Sequence, residues 1–210
     1  MTPMTEPGRR DLILDAAAVV FAEHGYAGAR VDDIAARAGV NKAMLYYHVG
    51  NKQALYTAVL TSNFDRMEES LDQALAQGGP AIERLEVVIT GIARTLRHLP
   101  DHPRIVLREF ASSGENLEPE VLERMVRVLG TVRDVLAAGI RSGEFRTTDP
   151  IMTHLALIGA SLVLSTVAPL RERISEIDPG IEASDDADVG GFLADFLLHG
   201  IAMPGTGEAT

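Results

Sequence analysis

The chain has no cysteine, no tryptophan, and only two lysines among its 19 basic side chains. Without cysteine there is no disulfide framework, no thiolate metal site and no thiol nucleophile, and a reducing cytoplasm is the expected compartment. A signal-peptide stretch is missing too, since the opening MTPMTEPGRRD is polar. Long hydrophobic runs are scarce. The longest uncharged stretch, Pro150 to Leu170, contains His154, Pro169 and several Thr, Ser and Gly residues. A membrane span needs about 20 predominantly apolar residues, so this stretch reads as a buried helix and no membrane association is expected. Strand-like alternation and internal repeats are also absent. With 210 residues, 46% of them hydrophobic, the chain can bury a substantial core as one large or two small domains.

Positive charge is in deficit overall, with a formal net charge of −11. The deficit is uneven. Residues 1–60 hold six basic and six acidic side chains, whereas the remainder holds 13 basic against 24 acidic. A neutral head on an acidic body permits a polyanionic partner at the head and disfavours nonspecific nucleic-acid coating. Both lysines, Lys42 and Lys52, lie in the head within the segment NKAMLYYHVGNK.

Proline and glycine divide the chain into helix-length pieces. From Arg9 to His24 the residues Leu12, Ile13, Ala16, Ala17, Val20 and Phe21 keep the spacing of one helical face, and Gly25 ends the run. Val31 to Ala38 forms a second short piece, stopping at Gly39. Asn41 caps a third, Lys42 to about Val49, which ends at Gly50; Asn51 caps a fourth. Two helices of about two turns joined through a glycine turn make a helix-turn-helix pattern over about 30–49. On spacing alone, a DNA-binding unit and a plain helical hairpin both fit. Further helices are expected around Ile82 to Leu96, Arg104 to Ser112, Glu118 to about Arg141, Ile151 to Leu170 and Val189 to about Ala202, with Ser175 to Asp188 as a loop. The fold class is therefore all-α, with about nine helices.

At about 100° per residue, Leu45 and Val49 share one side of the third helix and Ala43 and Tyr47 the other, flanked by Met44 and Tyr46. A face made of a methyl, a thioether and two phenols suits base edges and sugars in a major groove. Either tyrosine could instead be half-buried packing. Lys42 and Lys52 are placed to neutralise phosphates on either side, and Arg30, ahead of the second helix, to reach the backbone on another flank.

The segment ILDAAAVVFAEHGYAGARVDDIAARAGVNKAMLYYHVGNKQAL resembles the amino-terminal domain of the TetR family of one-component transcriptional regulators, above all in FAEHGY, DIAARAGV and LYYHVGNKQAL. The resemblance covers about 45 residues. It implies a homodimer whose paired heads dock on a palindromic double-stranded operator, and a helical carboxy-terminal domain that holds a small-molecule effector. It also implies DNA contacts at Lys42, Ala43, Tyr46, Tyr47, His48 and Lys52, with Arg30 at the start of the second helix; the residue reading adds Met44. The family's usual Ser or Thr at that helix start is replaced by Ala29-Arg30-Val31, and Val49 stands where an aromatic is common.

These features set the expected domains: a DNA-binding head over 8–67, a ligand-binding and dimerisation body over 68–203, and disordered tails at 1–7 and 204–210. The helices near 151–170 and 189–202 are expected to pair with those of a second copy. Arg94, His98, Arg108, Glu109, Ser112 and His154 are the polar groups expected around the effector, which the composition suggests is apolar or amphipathic. His98 and His102 stand four apart, as metal ligands on a helix would, but Pro100 and Pro103 break the helical geometry, so no metal site is expected. No glycine-rich phosphate loop, nucleophile elbow or catalytic carboxylate pair occurs, and neither a cofactor nor an enzyme is expected. The leading reading is a ligand-relieved repressor; the alternative is an all-α ligand-binding protein or enzyme.

Overall fold

The computed structural model describes residues 8–76, 78–178, 180 and 188–201, which form ten helices and no strand. In chain order these are α1 (Arg9–Gly28), α2 (Val31–Arg37), α3 (Lys42–Val49), α4 (Lys52–Leu75), α5 (Ala81–His98), α6 (His102–Ala111), α7 (Pro119–Ser142), α8 (Pro150–Leu164), α9 (Ala168–Ile177) and α10 (Val189–Ile201).

The starts of α3, α4 and α8 follow from side chains that satisfy the free N–H groups of a first turn. The Asn41 and Asn51 side-chain oxygens accept from Met44 N and Ala54 N, each at 2.8 Å, and Asp149 accepts from Ile151 N and Met152 N at 2.8 and 3.1 Å. Such a cap contributes about 1 kcal/mol. In α1, Gly25 takes φ 69° and breaks the helix before its final short turn, a conformation glycine adopts at little cost.

In the head, α1 packs on α2, α3 and α4, burying Ile13, Phe21, Ile34, Leu45 and Leu55 completely. In the body, α5 is central, touching α4, α7, α8 and α10 and burying Leu85, Val88, Ile89, Ile92 and Leu96. Each such side chain contributes about 1.5–3 kcal/mol by leaving water. Helix α4 belongs to both parts and passes unbroken through positions 67 and 68.

Three expectations are corrected. The described residues form ten helices where about nine were expected, because the apolar piece from Ile151 to Leu170 is two helices, α8 and α9, bent by 61°. Pro169 sits in the first turn of α9, where its missing N–H is harmless; in a continuous helix it would clash one turn back. Helix α6 starts at His102 rather than Arg104, since Pro103 opens the helix instead of breaking it. Residues Ser175 to Ile177 close α9 rather than beginning a loop. The positions 181–187 of that loop, Ala202, and the tails 1–7 and 204–210 lie outside the described residues. Among the described residues no single helix is long and apolar enough to cross a membrane.

Candidate nucleic-acid interface and apolar cavity

Leu45 is wholly buried and pins α3 to the head, so the opposite face is forced outward. Tyr47 is 86% exposed and Tyr46 42%; Ala43 is exposed, and Met44 and His48 are half-buried at the margins. The Tyr47 and His48 rings meet edge-on at 5.3 Å. Arg30 is exposed as the residue before α2. Seven of the eight sequence-proposed contact residues thus come together on or beside α3, with Arg30 at the entry to its partner helix.

The two lysines have internal partners. Lys42 Nζ lies 3.0 Å from Asp32 Oδ1 in an exposed ion pair, and the hydrogen bond to Asp32 holds its ammonium above the usual lysine range. Lys52 Nζ donates to Ala27 O at 3.3 Å and sits 4.8 Å from the centre of the Tyr26 ring. The sequence reading missed Arg9, whose Nη1 lies 3.5 Å from Met44 Sδ and brings a guanidinium to the α3 face. The pairs Lys42–Asp32 and Arg9–Met44 cross helices, and nothing in the residue order marks them.

A second missed feature joins head to body. The Tyr56 hydroxyl on α4 donates to Glu109 Oε1 on α6 at 2.6 Å, and Glu109 is only 3% exposed. The Tyr56 ring packs on Phe21 and Tyr26 at 4.7 and 5.0 Å. Burial, then the Glu109 carboxylate, hold the phenol protonated far above its ordinary range. Asn116 donates through its backbone and side chain to Glu109 at 3.4 and 3.1 Å, and Gln53 donates to Asn116 O at 3.0 Å. The corner between α6 and α7 therefore grips the first turns of α4. The sequence clue is a lone acid following Ile105 and Val106 on the buried side of α6.

Within the body, α4, α6, α7 and α8, with Leu96 of α5, line an open cavity of about 450 Å³. Its walls include Phe64, Met67, Val106, Met125, Ile158 and His154. Of the six polar residues proposed around the effector, only His154 reaches it; Glu109 is taken up by Tyr56. Arg94 is exposed on α5. Arg108 lies outside and donates from Nη2 to Glu23 O at 3.2 Å, holding the end of α1. Ser112 donates to Glu109 O at 3.3 Å. His98 borders a separate polar cleft of about 210 Å³ with Asp11, Asp15, Arg66 and Asp101. His102 lines both spaces; the Asn63 amide nitrogen lies 3.2 Å from its Nδ1, and burial lowers its pKa to about 4. Among the described residues no group of three or more His, Asp or Glu could hold a metal ion.

A helix-turn-helix head with a bare second helix, carried on a helical body with an apolar cavity, defines a one-component DNA-binding regulator. Residues 13–59 match the model for bacterial regulatory proteins of the tetR family, and residues 78–165 match the tetracyclin repressor-like C-terminal domain. The chain is 32% identical to the HTH-type transcriptional repressor NicS of Pseudomonas putida, over 73% of each protein. It is 31% identical to the HTH-type transcriptional repressor SCO4008 of Streptomyces coelicolor, over 77% of this chain and 80% of that one. In fold it resembles FadR from Bacillus subtilis, solved with stearoyl-CoA, at a TM-score of 0.69 and 22% identity, covering 90% of this chain and 95% of that one. The chain belongs to the TetR family and is a DNA-binding transcriptional regulator.

Proposed function

We propose that the protein is a repressor that binds a palindromic operator as a homodimer and leaves it when the body takes up a small apolar or amphipathic molecule. The observation that carries the DNA-binding face is Tyr47, 86% exposed on a helix whose opposite side is locked by a fully buried Leu45. An exposed phenol beside Ala43 and Tyr46 offers shape and methyl contacts to base edges, while Arg30, Lys42 and Lys52 supply cations for phosphates. In this reading the head spans 8–67 and the body 68–203, with α4 common to both.

Exposed apolar side chains on α8 and α10 support a second copy. Met152, Leu155, Phe192 and Phe196 are 50–66% exposed, and the two phenylalanine rings stack at 6.1 Å. Apolar area of this kind is what isologous interfaces cover. Two heads then reach half-sites in successive grooves, about 34–36 Å apart.

The release mechanism is a shift of population. Helix α4 carries Lys52 at its start and the cavity residues Phe64 and Met67 further on, twelve residues or about 18 Å along the rod. Helix α6 supplies the cavity residues Val106 and Phe110 beside Glu109, which holds Tyr56. A ligand that fits best with these helices shifted favours head spacings that miss one of the two grooves, and operator affinity falls by linkage.

The test is an electrophoretic shift on DNA upstream of the protein's own gene. Specific binding that weakens steeply with salt is expected. The change Tyr47→Ala should lower operator affinity roughly tenfold or more, on the scale of a lost base-edge contact, with helicity and mass in solution unchanged. Undiminished affinity in that variant would remove α3 as the docking face.

A further inference from the structure

The polar cleft of about 210 Å³ beside His98 has walls from both parts of the molecule. Helix α1 supplies Asp11 and Asp15, one turn apart and so on one face. The corner between α5 and α6 supplies Asp101. Each carboxylate is short of donors. Asp101 stands just before α6, where an acid often caps the helix, yet its side chain makes no capping bond, and burial holds its carboxyl above the ordinary range. Asp11 accepts from Gly8 N at 3.2 Å. Among the described residues none of the three forms an ion pair within 4 Å, not even with Arg66 in the same cleft. A separate sign comes from Asn63, which is only 7% exposed. Its amide nitrogen is taken by His102 Nδ1, while its oxygen has no hydrogen-bond partner among the described residues and is not sealed from water. Asn63 borders this cleft and not the apolar cavity. A buried acceptor left open in this way calls for a donor.

We infer that this cleft binds a short diammonium compound, one end held by Asp11 and Asp15 on α1 and the other by Asp101, with Asn63 Oδ1 accepting an N–H between them. Three carboxylates face one guanidinium here, which leaves two negative charges and matches a dication. The acids do not converge on a point, since among the described residues no group of three could hold a metal ion. An elongated cation reaches separated carboxylates where a single ion does not. An ammonium carries three donors and no acceptor, the complement of walls whose unpartnered atoms are acceptors. Between the acids the lining is apolar, with Leu14, Ala18, Val59 and Leu99, and a methylene stem can lie along it as a lysine stem does on apolar surface. A volume of about 210 Å³ corresponds to roughly seven water-sized groups at about 30 Å³ each, the size of two nitrogens joined by about four or five methylenes. Such an occupant ties α1 of the head to the α5–α6 corner of the body. The inference needs neither the apolar effector nor the operator.

The experiment titrates the full chain calorimetrically at pH 7.5 with 1,4-diaminobutane, 1-aminobutane and magnesium chloride. It is repeated for Asp101→Asn, Asp15→Asn and Asp134→Asn. The parent should take up one diamine per chain, at least tenfold more tightly than the monoamine or the metal ion. Asp101→Asn should weaken diamine binding on the order of tenfold, the scale of one charge-assisted hydrogen bond. Asp15→Asn, at an exposed position, should weaken it by roughly threefold. That variant removes no hydrogen bond of the fold, so it tests the site independently of how well Asp101→Asn folds. Asp134→Asn removes the same charge from the exposed surface of α7 and should leave binding unchanged, which separates a built site from general attraction to a chain of net charge −11. Binding of magnesium or 1-aminobutane as tight as that of the diamine, equal losses in all three variants, undiminished binding in Asp15→Asn and Asp101→Asn, or no saturable uptake of the diamine would each overturn the inference.

Discussion

His102 is enclosed on every side, stacked edge-on against Phe64 at 5.2 Å and bonded to Asn63. Because its pKa falls from 6.5 to about 4 on folding, the unfolded chain takes up a proton there at a higher pH than the folded one. The stabilisation from keeping this ring neutral is therefore complete above about pH 6.5 and is lost as the pH falls towards 4. The full loss is on the order of 3 kcal/mol. Thermal melts of the parent between pH 7 and pH 4.5 should fall faster than those of His102→Gln, which carries no titrating ring; parallel curves would show that this ring does not govern acid sensitivity. Sequence reading placed His102 only as the partner of His98 in a rejected metal pair. What decides its role is Asn63 on a different helix, a neighbour that residue order does not reveal.

Among the elements, α3 and α4 were the most legible. Asn41, Gly50 and Asn51 mark the ends of these helices, and the helical period placed Leu45 inside and Tyr47 outside, as the structure has them. Legibility failed where a boundary depends on a proline's position within a turn. Pro103 and Pro169 each open a helix, and a linear reading took the first as a break and ran a single helix through the second. It failed again for the polar groups around the cavity, since Arg94, Arg108 and Ser112 sit on the right helices but on their outer sides or at their ends. The contact between α4 and α6 is a tertiary event of the same kind. Removing its hydroxyl by Tyr56→Phe leaves the buried Glu109 carboxylate one donor short and should cost about 1–3 kcal/mol of stability. Ligand-free operator binding should persist while its response to ligand weakens; an unaltered ligand response, measured by gel shift, would show that this link does not transmit.

At the scale of the whole molecule, the division into a charge-balanced head and an acidic body is already set by composition, and the folded chain adds a row of exposed apolar side chains on α8 and α10. Placing a carboxylate in that row by Phe196→Glu should shift sedimentation equilibrium from two copies towards one. Operator affinity should fall with it, because a single head then binds one half-site, while the circular dichroism of the helices stays the same. A parent protein that sediments as one chain at DNA-binding concentrations would remove this interface.

In the docking proposed above, the ion pair between Lys42 and Asp32 makes a carboxylate of the head compete with the duplex. Any phosphate that engages this ammonium must displace a carboxylate already 3.0 Å away, so the charge released into solution is partly an internal one. Random sequence, which offers phosphates and nothing else, gains little from that exchange. In the proposed docking, a site that also fits the tyrosine face offsets the displacement better than random sequence does, so Asp32 would widen the gap between the two.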